Sequence, residues 1–183
     1  MALYHFSVRH VSRGKGQMVV ASAAYISGQR IYDGYYNKIH DYTSKSGVVF
    51  TEILTPEYVP ERMTDRETLW NEVEHVERNN KAQLAYSFDI ALQNELTLEE
   101  NIRLAKEFCQ EQFVVCGMIV DLAVHEGKSD NEEEPDNPHF HVLAPIRPFT
   151  EEGIWGNKQR REYILDEDGN RVKDAKGKDM FNA

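Results

Sequence analysis

Two cysteines, Cys109 and Cys116, are all that 183 residues contain, too few for a disulfide framework or a four-cysteine zinc site. We read both as reduced, half-buried thiols. No stretch approaches the roughly 18–20 apolar residues of a membrane span. The opening MALYHFSVRH lacks the cationic start and apolar run of a signal peptide, so a cytoplasmic chain with no membrane partner is expected. Motifs are missing too. There is no phosphate-cradling GxxxxGKS/T loop, no GxGxxG after a strand, no GxSxG elbow and no HExxH. P-loop, dinucleotide, α/β-hydrolase and thermolysin-type chemistries are thereby set aside.

Net positive charge is also lacking. The chain carries −10, which at first argues against a nucleic-acid partner. The distribution decides more than the sum. Residues 1–50 hold six Lys/Arg against two Asp; residues 51–146 hold seven basic and twenty-one acidic residues; residues 147–183 hold eight of each. Acidity is concentrated in the middle, so the N-terminal segment remains free to face phosphate.

What is present is enough for one folded domain: 40% hydrophobic and 28% charged residues. Alternation predicts a first strand over residues 2–9, with Tyr4, Phe6 and Val8 on one face. The run QMVVASAAYIS (residues 17–27), stopped by Gly28, predicts a helix with Met18, Ala21, Ser22 and Tyr25 along one stripe. Residues 29–46 read as a polar, tyrosine-rich loop. A strand follows over 48–54. Thr64 with Glu67 forms an S/T-x-x-E capping box opening a helix to about residue 78. Residues 83–92 alternate as a strand, and Thr97 with Glu100 opens a further helix to about residue 113. Strands over 114–125 and 138–146 flank an acidic loop, 126–137. The polar remainder, 147–183, holds no apolar period able to pack a helix and is expected to be flexible. This order predicts an α+β fold, a central antiparallel sheet with helices packed on it. Residues 1–183 are expected to be one domain, the N-terminal part of a longer protein.

Three histidines stand out. His139 and His141 are two apart on a predicted strand and share a face, with Phe140 turned to the core. His125 ends the preceding strand. If 126–138 connect an antiparallel hairpin, the three imidazoles converge as ligands for a divalent ion; the alternative is three solvated polar residues. A ligating imidazole usually donates its second N–H to a carboxylate, and Asp89, among Phe88, Ile90 and Leu92, is the best candidate; the alternative is an edge-strand Asp facing solvent. Tyr25 sits among small residues, its hydroxyl uncrowded. It is either a nucleophile, which with a pKa near 10 needs activation, or a helix aromatic with its hydroxyl at the surface. Arg9, Arg13, Lys15, Arg30, Lys38 and Lys45 near the start, and Lys158, Arg160 and Arg161 beside Trp155, interleave with aromatics as a single-stranded nucleic-acid track does. Ordinary solvated surface looks the same.

Taken in order, ALYHFSVRHVSRGKGQ, SAAYISG, VVFTEILTP, TDRETLWNEVE, ALQNELT, AVHE, PHFHVL and WGNKQRREY resemble the MobA/MobL family of plasmid mobilisation relaxases, which are HUH endonucleases. The resemblance implies that His125, His139 and His141 hold a divalent ion, Mn²⁺ or Mg²⁺, and that Tyr25 is the nucleophile. It implies nicking of one DNA strand at an origin of transfer, with a 5′-phosphotyrosine link, a free 3′-hydroxyl and later rejoining. Accessory mobilisation proteins and a secretion-system coupling protein would be partners. Two positions depart from the pattern. Where relatives often read R-E-x-E-I-A-L-P, this chain reads Tyr86-Ser87-Phe88-Asp89-Ile90-Ala91-Leu92-Gln93, leaving Asp89 alone for the metal-orienting role. Ile26 follows Tyr25 where Arg is frequent, with Arg30 as a substitute cation. Three other readings remain open: a rolling-circle replication initiator, whose tyrosine often follows the His block; a DNA-binding module without turnover; and a three-His hydrolase that does not need Tyr25.

Overall fold

The computed structural model describes residues 5–128, 136–158 and 162–182. In chain order it contains β1 (Phe6–Ser12), α1 (Val19–Ser27), β2 (Arg30–Asp33), β3 (Lys38–Asp41), β4 (Val48–Leu54), α2 (Arg66–Val76), β5 (Gln83–Ala91), α3 (Leu98–Cys109), β6 (Val120–His125), β7 (His139–Pro145), β8 (Glu162–Tyr163) and β9 (Phe181–Asn182). Five strands pair antiparallel in the order β1-β5-β7-β6-β4. The expected α+β architecture is present, with helices on both faces of the sheet.

Alternation along the central strands separates two cores. On one face, Val11, Ala85, Ala123 and Leu143 pack against Val20, Ala23 and Ala24 of α1 and Leu69, Trp70 and Val73 of α2. On the other, Leu122, Val124, Phe140 and Val142 pack against Ala105 and Cys109 of α3. Each large side chain fully buried in this way stabilises the fold by about 1.5–3 kcal/mol. Small alanines on the inner face of α1 let that helix lie close to the sheet, leaving Met18, Ala21, Ser22 and Tyr25 along a cleft.

Two buried ion pairs tie α2 to this layer. The Arg13 guanidinium donates to the Glu74 carboxylate and to the carbonyls of Glu74, Glu77 and Asn79. Glu74 also accepts from the Val19 N–H at the start of α1, at 3.3 Å. Arg66 forks onto Asp121 of β6 at 2.8–3.0 Å, while Trp70 Nε1–H donates to the same carboxylate at 2.8 Å.

Four local expectations need correction. Residues 29–46 are not a loop throughout: β2 and β3 form a hairpin, its turn fixed by Asp33 Oδ1 accepting from the N–H groups of Tyr35 and Tyr36. Its inward positions include a buried polar pair, Asp33 and His40, so no apolar alternation announces it. The cap of α2 is Asp65, which accepts from Thr68 N–H at 2.8 Å; the Thr64 hydroxyl turns back to the Glu61 carbonyl, and Glu67 accepts from Tyr32 N–H instead. Residues 114–119 are not strand. The chain leaves α3 through a π-helical turn, Gln110–Val114, and a reversal at Gly117 (φ 86°) before β6 begins. Finally, β1 runs to Ser12; residues 1–4, including Tyr4, lie outside the described residues. The thiols also part company, Cys109 buried and Cys116 exposed.

After β7, Phe149 stacks on Trp155 at 4.2 Å between centroids, and Trp155 Nε1–H donates to Glu72 of α2. The last described stretch is a narrow ladder in which β8 pairs with β9.

Candidate active site

The site is built where the β6–β7 hairpin meets the end of α1. His125 and His139 stand directly opposite across the ladder, and His141 is two residues further along β7. The period of two puts all three on the α1 face while Phe140 fills the α3 core. Ring centroids are 4.7–5.1 Å apart, and the ligand-capable atoms lie within 4.8 Å of one another. The expected convergence is therefore present.

Hydrogen bonds fix which nitrogen two of the rings turn inward. His125 Nε2–H donates to the Ile26 carbonyl at 2.7 Å, leaving Nδ1 with its lone pair. His139 Nδ1–H donates to the Asn137 carbonyl at 2.8 Å, leaving Nε2. His141 turns Nδ1 toward Asp89 Oδ1 at 4.0 Å, too long for a direct hydrogen bond yet a favourable approach of a carboxylate to a ligand's outer nitrogen. Burial pushes the pKa of His125 down to about 4, and burial with His125 as neighbour does the same to His141. Neutral imidazoles with assigned tautomers are what a divalent ion requires.

Tyr25 is half exposed at 50% and lines the same open cleft as the three histidines, a space of about 690 Å³. A second hollow of about 400 Å³ adjoins it along α1 and shares Arg9, Tyr25, Asp89 and His141. Arg9, Lys45 and Lys128 bring three cations to the larger cleft, against the carboxylates of Asp89 and Glu126. The local balance thus differs from that of the whole chain. A phosphodiester entering here meets positive charge, three imidazoles and a phenol.

The other candidate cations are distributed differently. Arg13 is buried, and all five of its N–H donors are used within the fold, so none is left for a phosphate. Lys158 pairs with Glu77 at 2.9 Å and donates to the Gln83 carbonyl. Arg30 is exposed and lies 3.6 Å from Asp41; Lys15 is exposed in the turn after β1. Arg160 and Arg161 lie outside the described residues.

Three contributors to the site carry no motif. Ile26 acts through its carbonyl. Gly127, at φ 56°, allows the hairpin to close: a Cβ there would sit 1.9 Å from the Asn137 carbonyl oxygen that orients His139. Lys45 holds its ammonium 3.7 Å from the centroid of the Tyr25 ring.

Comparison with known proteins bears on this geometry. The MobA/MobL family model matches residues 17–182. The chain belongs to the MobA/MobL family. Among its relatives, "Conjugal transfer protein TraA" of Agrobacterium fabrum is 36% identical over 99% of this chain and 16% of its own length. "Probable mobilization protein MobA" of Bifidobacterium longum is 34% identical over 94% of the chain and 30% of its own. A solved structure described as "Molecular Basis of Vancomycin Resistance Transfer in Staphylococcus aureus" superposes with a TM-score of 0.77 at 38% identity, covering 87% of this chain and 78% of that one. The MobA/MobL chain described here thus spans less than half the length of either curated relative, and its fold agrees with the solved structure. No helix among the described residues is long and apolar enough to cross a membrane.

Proposed function

We propose that this chain is the nicking module of a relaxase, acting on single-stranded DNA at an origin of transfer. The observation that carries the reading is the sharing of one cleft by Tyr25, His125, His139 and His141. Membership of the MobA/MobL family, with relatives named for conjugal transfer and mobilisation, supports it.

His125 through Nδ1, and His139 and His141 through Nε2, would hold a divalent ion, Mn²⁺ or Mg²⁺; the depressed pKa values of His125 and His141 and the hydrogen-bonded tautomers of His125 and His139 fit that role. When bound, the ion supplies positive charge to the non-bridging oxygens of the scissile phosphate. The remaining work falls to protein groups. Arg9 draws the anionic strand into the cleft, and α1 presents Tyr25 at its rim. Tyr25 Oη attacks phosphorus, the Oη–P bond forming as the P–O3′ bond breaks. The phenolic proton departs and the leaving 3′-oxygen gains one, so the step is balanced without nucleotide hydrolysis. The phosphotyrosine diester keeps the bond's energy for rejoining by a 3′-hydroxyl. Accessory mobilisation proteins and a coupling protein complete the proposed set of partners.

The test is a covalent-adduct assay with Mn²⁺ or Mg²⁺ and oligonucleotides spanning candidate origins, with Tyr25→Phe alongside. A metal-dependent mass gain that vanishes in Tyr25→Phe, with a free 3′-hydroxyl fragment, is the expected result. Cleavage that survives Tyr25→Phe would instead mean a three-His hydrolase. Binding without adduct or cleavage across the origin set would leave a DNA-binding module.

A further inference from the structure

The segment between β3 and β4 closes over Tyr25. Asp41 Oδ1 accepts from both the N–H and the hydroxyl of Thr43, Tyr42 N–H donates to the Gln29 carbonyl at 3.2 Å, and Lys45 N–H donates to the Tyr42 carbonyl at 2.9 Å. This compact turn delivers two side chains to the same ring. Tyr42 meets Tyr25 edge-on, with centroids 5.4 Å apart and planes at 88°. Lys45 lies over it at 3.7 Å and also donates from Nζ to the Tyr25 main-chain carbonyl at 3.0 Å. One ammonium therefore touches both the ring and the backbone of a single residue.

We propose that Lys45 is a positioning residue for Tyr25, fixing the ring through its face and the end of α1 through its carbonyl. The inference rests on the reading of Tyr25 as nucleophile. It follows from three facts together. Tyr25 is half exposed, and an exposed phenol on a helix would otherwise sample several rotamers. The α1 stripe beside it is Ala21 and Ser22, too short to hold a ring. The contacts that do hold it come from Tyr42 and Lys45, in the segment between β3 and β4. A cation over a ring contributes more as it is desolvated, and burial holds Lys45 below the usual lysine range. Nucleophilic attack depends on orientation, and small misplacements slow it about 100-fold.

Two measurements on the full chain test this, with Lys45→Met retaining the length of the stem and Lys45→Arg retaining the charge. The first needs no turnover: ring spectra of ¹³C-tyrosine protein, with Tyr25 resonances assigned by Tyr25→Phe. Lys45→Met is expected to shift the Tyr25 resonances and leave those of Tyr32 in place, whereas unchanged Tyr25 resonances overturn the proposal. The second is single-turnover adduct formation with Mn²⁺ across oligonucleotide concentrations. The maximal rate is expected to fall about 10- to 100-fold in Lys45→Met, with half-saturation changed less than about twofold and most of the rate restored in Lys45→Arg. A loss confined to half-saturation would make Lys45 an ordinary phosphate contact and overturn the proposal. If the unaltered chain forms no adduct, the relaxase reading fails, and the ring spectra still decide whether Lys45 holds the tyrosine.

Discussion

The Ile26 carbonyl accepts a hydrogen bond from His125 Nε2–H at 2.7 Å, so the residue following Tyr25 orients one of the three imidazoles. The phenol and the cluster are thus joined through one peptide unit at the end of α1. A displacement of that last turn has to alter both.

Gly28 gives the means to move it. At φ 64° it closes α1, and a Cβ would meet Val48 Cγ2 at 3.3 Å. Gly28→Ala is expected to lower Mn²⁺ affinity several-fold by calorimetry, whereas Tyr25→Phe, which keeps the backbone, leaves it unchanged. Equal affinities in all three proteins would show that the carbonyl does not set the His125 ring.

Asp89 approaches the outer nitrogen of His141 at 4.0 Å. Asp89→Ala is therefore expected to weaken metal binding by about tenfold, at the low end for an outer partner of a ligand. His141→Ala should remove most of the affinity. An Asp89→Ala protein with unaltered affinity would reduce the carboxylate to surface charge.

Asp121 is completely buried and satisfies Arg66 and Trp70 together. Asp121→Ala leaves a buried guanidinium without its partner, at a cost of about 3–5 kcal/mol. Urea unfolding would register this as a large fall in midpoint. A change below about 1 kcal/mol would mean that water reaches Arg66.

The metal-free protein should lose stability in acid. An ordinary histidine titrates near 6.5, but burial takes His125 and His141 down to about 4. Between those values the unfolded chain binds protons that the folded one refuses. Their contribution is complete above about pH 6.5 and is lost as pH falls toward 4. With chelator present, the urea midpoint should decline across this window, less steeply in His125→Gln. Parallel slopes in the two proteins would assign the decline to carboxylates.

The two thiols should be distinguishable chemically. Burial pushes the Cys109 thiol up to about 12, while Cys116 is exposed. At pH 8 a disulfide reagent should titrate one thiol per native chain and two in denaturant. Two fast-reacting thiols in the native protein would place Cys109 in a mobile layer.

Much of this was readable in advance where a pattern reports burial directly. The alternation of β5 and β7 was legible, as was the convergence of His125, His139 and His141, because a period of two leaves no choice of face. Thr97 and Glu100 form the capping box they spell, with Glu100 N–H donating to Thr97 Oγ1 and Thr97 N–H to Glu100. The β2–β3 hairpin escaped because two of its three buried positions, Asp33 and His40, are polar. Thr64 and Asp65 are adjacent capping residues, and composition does not rank them. Arg13 looked like a phosphate ligand because sequence does not show that Glu74 lies beneath it. Backbone carbonyls at Ile26 and Asn137 carry no letter at all, so the groups that orient His125 and His139 surface only in three dimensions.

The order β1-β5-β7-β6-β4 places the last of its five strands to be synthesised in the middle. Until β7 emerges, β1 with β5 and β4 with β6 are separate ribbons, each presenting an open edge to solvent. Closure of the sheet and arrival of His139 and His141 are then a single event, long-range in sequence and therefore slow to nucleate. A nascent chain cannot assemble the three-imidazole cluster ahead of its fold, which keeps partly made protein from displaying a finished set of three ligands.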